Sequence, residues 1–141
     1  MKHVCNTPSL FRFFDEFLSD LPSETKDFVN FKRPKVNVTQ DEDNYILDVF
    51  YPGVKKENFK IDVEDEIISI SSNFKEGEWD KEGENVYFKE YTMYDFNRKF
   101  KLPKEVIVKD IKATYKDGVL TVKIPKDKEK EKERKKSIKI E

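Results

Sequence analysis

The chain has 141 residues, enough for one ordinary domain with tails and for a core of its own. Charged residues make up 40% of it, but 28 Lys and Arg against 29 Asp and Glu leave a formal charge of -1, so electrostatics gives no reason to expect a nucleic acid or an anionic membrane as partner. The single cysteine, Cys5, excludes an intrachain disulfide and fits a reducing compartment. No run approaches membrane-spanning length, and Arg12, Asp15 and Glu16 break up the apolar stretch a signal peptide would need. A soluble, cytoplasmic protein is expected.

Residues 1–33 form a Phe-rich arm. Leu10, Phe11, Phe13, Phe14, Phe17, Leu18 and Leu21 follow Ser9, a plausible N-cap. Positions 10, 13, 14, 17, 18 and 21 are spaced by three and four, as on one apolar helical face. Pro22 ends the pattern, and Phe28 and Phe31 follow without a clear period. The arm is therefore a short helix or disordered. It either packs on the domain's own core or, being too short to be stable alone, offers its Phe side chains to other subunits or client proteins.

Residues 34–125 change to period two. Val36 and Val38 alternate with polar neighbours, and so do Tyr45, Leu47 and Val49; Phe59, Ile61 and Val63; and Ile68 and Ile70. The pattern returns in Phe96, Phe100 and Leu102, in Ile111, Ala113 and Tyr115, and in Leu120, Val122 and Ile124. Turn signals separate the segments: Asp41-Glu42-Asp43-Asn44, Pro52-Gly53, Glu64-Asp65, Pro103 and Asp117-Gly118. Seven short strands with one buried face each imply two packed antiparallel sheets, an all-β, immunoglobulin-like β-sandwich. Residues 73–85 are a long solvated loop, and Val86-Tyr87-Phe88 reads as a brief apolar strand after it.

Residues 126–141 are a charged C-terminal extension. Its Lys/Glu run could form a solvated helix with i,i+4 pairs, but lacking an apolar face it is expected to stay flexible. Ile138-Lys139-Ile140 then brings two isoleucines almost to the chain end.

Catalytic chemistry finds little to build on. The only histidine is His3, so Ser/His/Asp and Cys/His arrangements lack their base. His3 and Cys5 do not make up a structural zinc set. The four glycines (53, 77, 83 and 118) fit neither a P-loop nor a dinucleotide fingerprint. No metal, no cofactor and no enzymatic activity are expected.

Several motifs stand in an order that resembles the α-crystallin domain of the small heat-shock protein family. Pro52-Gly53-Val54 follows the second strand, and Phe59-Lys60-Ile61-Asp62-Val63 leads to Ile68-Ser69-Ile70. Arg98-Lys99-Phe100-Lys101-Leu102-Pro103 matches the family's Arg-x-Phe-x-Leu-Pro segment. Ala113, four further residues and Gly118-Val119-Leu120 match its most diagnostic signature. Tyr51 departs from the usual Leu before Pro-Gly. Tyr91 and Tyr94 stand where many bacterial relatives carry Arg and Gly.

The resemblance implies an ATP-independent holdase that suppresses aggregation of unfolding proteins from oligomers built of dimers. It implies dimerisation by strand exchange, with Val86, Tyr87 and Phe88 pairing with Val36 and Val38 of a partner and Arg98 at that interface. It implies a tail anchor, Ile138 and Ile140, that docks on Phe59, Ile61, Val63, Ile111, Ala113 and Tyr115 of a neighbour. Client binding then falls to Leu10, Phe11, Phe13, Phe14, Phe17, Leu18, Phe28 and Phe31. The alternative is a monomeric co-chaperone-type β-sandwich that binds one folded partner; an extracellular adhesion sandwich and a hydrolase fit less well.

Overall fold

The computed structural model describes residues 33–74, 85–134 and 137–140. Seven strands appear where period two places them: β1 (Lys35–Gln40), β2 (Asn44–Phe50), β3 (Phe59–Glu64), β4 (Ile67–Ser72), β5 (Phe96–Lys101), β6 (Lys112–Lys116) and β7 (Val119–Pro125). All pair antiparallel, in one four-stranded sheet of order β1-β2-β7-β6 and one three-stranded sheet of order β3-β4-β5. The sheets belong to two compact units: Val54–Lys101 with Pro34 carries the smaller sheet, and Lys35–Gly53 with the chain from Leu102 onward carries the larger.

In the larger sheet the central strands are the buried ones. Leu47 faces Val122 and Val49 faces Leu120 across the β2–β7 ladder, and these four with Ile124 are almost completely covered. Each such side chain contributes about 1.5–3 kcal/mol of burial free energy. In the smaller sheet Ile68 faces Phe100, Ser72 faces Phe96, and Ile70 is fully buried. The buried Ser72 is satisfied: its hydroxyl accepts from the Phe96 N–H at 3.3 Å and lies 3.5 Å from the Tyr94 carbonyl, to which it donates.

Tight turns set the registers. Asp117 and Gly118 both have positive φ (53° and 79°), the geometry of a type I′ hairpin, joining β6 to β7. Gly118 is required twice over, because a Cβ there would also stand 2.9 Å from the Pro52 Cβ. The Pro52 loop is pinned against this turn by the Tyr51 N–H, which donates to the Gly118 carbonyl at 2.8 Å, and by the Tyr115 hydroxyl, which donates to the Tyr51 carbonyl at 2.9 Å. Gly118→Val should therefore cost about 2–4 kcal/mol, from left-handed strain and from displacement of Pro52. Gly118→Asn, whose backbone tolerates that region better, should cost less. Urea midpoints check both, and an unchanged midpoint for valine would contradict the packing argument.

Two elements differ from the sequence reading. The charged extension, expected to be flexible, contains a helix, α1 (Lys128–Arg134). Its opposite charges recur at i,i+3, as in Asp127–Lys130 at 3.8 Å, and not at the i,i+4 spacing expected. The helix is set by its N-cap: the Lys130 N–H donates to the Asp127 carboxylate at 3.3 Å. The second difference is Val86–Phe88, which forms no strand within the chain.

Candidate interaction surfaces

Period two would give every strand a fully buried face. Three of the four edge strands, β1, β3 and β6, do not have one, whereas the fourth, β5, keeps Phe96 and Phe100 buried. On β1, Val36 and Val38 are only half-buried, and on β3 the same holds for Phe59, Ile61 and Val63. Beside and on β6, Ile111 and Tyr115 are half-buried and Ala113 is exposed. An edge strand has one neighbour, so its side chains can lose lateral cover and its outer N–H and C=O groups can take another strand. The rows named from the sequence as partner contacts are thus the incompletely covered rows of their sheets.

Val86, Tyr87 and Phe88 are 66%, 103% and 80% exposed, and Tyr91 and Tyr94 are also exposed. Three consecutive apolar residues, with a bend at Tyr87 and outside any sheet of their own unit, form the largest run of uncovered apolar surface among the described residues outside the tail. Ile138 and Ile140 are 81% and 99% exposed. The loop residues 75–84 and the arm residues Leu10, Phe11, Phe13, Phe14, Phe17, Leu18, Phe28 and Phe31 lie outside the described residues.

Arg98 sits between Phe96 and Phe100 on β5, half-buried on the inward face as its strand period requires. Its guanidinium donates to the Pro34 carbonyl at 2.9 Å and lies over the Phe100 ring, 5.5 Å from the centroid. Desolvation first, and the like charge of Arg33 second, push its pKa down to about 10. A base lowered in this way is less comfortable charged in the folded chain than in the unfolded one. The penalty is present at every pH below about 10 and is relieved as pH rises toward the ordinary arginine value. A carboxylate from another subunit would relieve it at neutral pH. On the reading that Arg98 lies at a subunit interface, Arg98→Ala is expected to weaken dimerisation more than monomer stability. Dilution sedimentation and urea unfolding measure the two; equal losses would contradict the assignment.

The edge of β3 is stiffened by Phe59 against Phe96, edge-to-face at 6.4 Å. At the far end of the larger sheet, the Asp41 carboxylate accepts from the Asp43 and Asn44 N–H groups at 2.8 and 2.6 Å, closing the β1–β2 turn and holding its own pKa below the usual range. The sequence reading did not single out Lys126 and Asp127, which join this turn to α1. An Asp immediately before a Lys/Glu run is an N-cap signal that could have been read; the reach of Lys126 has none.

Among the described residues no group of three His, Cys, Asp or Glu side chains could hold a metal ion, and no helix is long and apolar enough to cross a membrane.

This arrangement defines an all-β protein whose uncovered features are sheet edges and apolar chain segments, the α-crystallin-domain class of immunoglobulin-like antiparallel β-sandwich. Residues 37–141 match the family model described as Hsp20/alpha crystallin family. The chain is 36% identical over 107 residues to small heat shock protein C4 of Rickettsia felis, covering 76% of this chain and 63% of that protein's length. It is 34% identical over 119 residues to a 16.9 kDa class I heat shock protein of Triticum aestivum, covering 80% and 77%. Among solved structures, heat shock protein 16.0 of Schizosaccharomyces pombe is similar with a TM-score of 0.62 and 28% identity, covering 77% of this chain and 98% of that one. The chain belongs to the Hsp20/alpha crystallin family of small heat shock proteins.

Proposed function

We propose that the chain is an ATP-independent holdase that captures unfolding proteins and slows their aggregation, working in the cytoplasm from oligomers built of dimers. The observation that carries this reading is the exposed Val86–Tyr87–Phe88 segment together with the open, half-covered β1 edge. Such features invite pairing, and exchange of an element between identical chains satisfies both at low cost. Ile138 and Ile140 then dock on neighbouring subunits, on the apolar rows Phe59, Ile61 and Val63 of β3 and Ile111, Ala113 and Tyr115 beside β6. The Phe-rich arm of residues 1–33 supplies the client contacts.

The energetic logic is preferential binding of unfolded over native protein, in competition with aggregation. Family membership supports it, because small heat shock proteins are generally chaperones. Light scattering from a heat-labile client tests the proposal. The full chain, at about one subunit per client and without nucleotide, should suppress the rise; an unchanged aggregation rate would overturn it. A monomeric mass with binding to one folded protein would favour the co-chaperone reading instead.

A further inference from the structure

The root of the C-terminal extension is held against the larger sheet. Lys126 follows the last residue of β7. Its ammonium lies 3.0 Å from the Gln40 Oε1, 2.7 Å from the Asp41 carbonyl and 4.9 Å from the Tyr45 ring centroid. Its N–H donates to the Asp43 carbonyl at 2.8 Å, and the Asp127 N–H donates to the Glu105 carbonyl at 2.8 Å. Val106 and Lys126 form an isolated bridge. Asp127 then caps α1, with the Glu131 N–H on its carbonyl at 2.9 Å and the Lys130 N–H on its carboxylate at 3.3 Å. Lys126 and Asp127 are half-buried, whereas Lys128, Glu129 and Lys130 are exposed.

We infer that Lys126 and Asp127 form a latch that fixes the root of the C-terminal extension on the β1–β2 turn, so that α1 projects the Ile138/Ile140 anchor in one direction. The two hydrogen-bond acceptors of the Lys126 ammonium are neutral, so salt screens them little. The exposed Lys128–Asp43 ion pair adds little of its own. A free linker of the same length would spread the anchor over roughly 20 Å in every direction. The latched helix instead carries it about 10 Å along one axis before the last residues begin. That restriction concentrates the anchor where α1 points. Its consequence for assembly rests on the proposed docking of Ile138 and Ile140; the latch itself does not.

The test uses the full chain with Cys5→Ser, Thr39→Cys and Glu133→Cys, spin-labelled and diluted with unlabelled protein so that only distances within a subunit are read. A single narrow distance distribution is expected. Lys126→Met with Asp127→Ala should widen it at least twofold and broaden the oligomer masses seen by native mass spectrometry. Asp127→Ala alone, which leaves the bridge to Val106 in place, should still erase the helical carbon shifts of residues 128–134 and keeps the test open if the double variant does not fold. Ile138→Ser with Ile140→Ser should leave the narrow distribution intact. If that variant also leaves the oligomer masses unchanged, tail docking fails while the latch stands. A distribution as broad in the starting chain as in the Lys126/Asp127 variant would overturn the latch.

Discussion

A chain lacking residues 1–33 is expected to lose aggregation suppression completely while still folding and dimerising. The loss follows from where apolar area is left for clients. Within the described units Leu47, Val49, Ile68, Ile70, Phe100 and Val122 are spent on the cores. In the proposed assembly the uncovered edge rows are taken by subunit contacts. The arm adds Leu10, Phe11, Phe13, Phe14, Phe17, Leu18, Phe28 and Phe31, which on the proposed reading are the residues offered to clients. Each Phe or Leu buried against an unfolded client contributes about 1.5–3 kcal/mol before ordering costs, so a few acting together give micromolar capture and none gives nothing measurable. Folding survives because every strand among the described residues lies beyond residue 33. Dimerisation survives too, since Pro34, whose carbonyl holds Arg98, is retained and the repulsive Arg33 is removed. Client light scattering with sedimentation checks both halves; full activity in the truncated chain would take the arm out of the mechanism.

Replacing Ile138 and Ile140 together by serine should reduce the assembly to dimers without lowering the unfolding midpoint. Both side chains are almost fully exposed in the single chain, so their removal takes nothing from the core. Docked on a neighbour, the pair contributes roughly 3–6 kcal/mol, less the ordering of the linker. One such contact is weak and reversible, and many tails closing one assembly act through effective concentration. The expected change is therefore collective: loss of the large species, not a gradual decline. Native mass before and after the substitution reads it directly, and an unaltered large species would show that other contacts hold the assembly.

Much of the fold was legible because strand period and turn chemistry are local. Leu47 and Val49, or Val122 and Ile124, announce a buried face by alternation alone, and Asp117-Gly118 announces its hairpin by the only pair of residues there suited to two positive φ angles. Tyr51, a departure from the family pattern, became intelligible only in the structure, where it is buried and its backbone bonds the Gly118 turn and the Tyr115 hydroxyl. Alternation cannot say which strand is an edge, so Ala113 and Val36 look as buried in the sequence as Val122. The acceptor of Arg98 was equally hidden, because a backbone carbonyl 64 positions away carries no side-chain signature. The latch at Lys126 was missed for the same reason. Val86–Phe88 was legible as apolar, and its bend at Tyr87 and lack of a strand partner in its own chain were not.

Dimerisation by strand exchange requires that the Val86–Phe88 segment find its sheet in a second copy. Amide hydrogen exchange of residues 36–38 and 86–88, followed as the full chain is diluted, addresses this at the backbone groups concerned. Strand exchange predicts slow exchange in both segments at high concentration and joint loss of protection through a single dissociation midpoint. Rapid exchange of residues 86–88 at every concentration, with residues 36–38 unaffected by dilution, would contradict it.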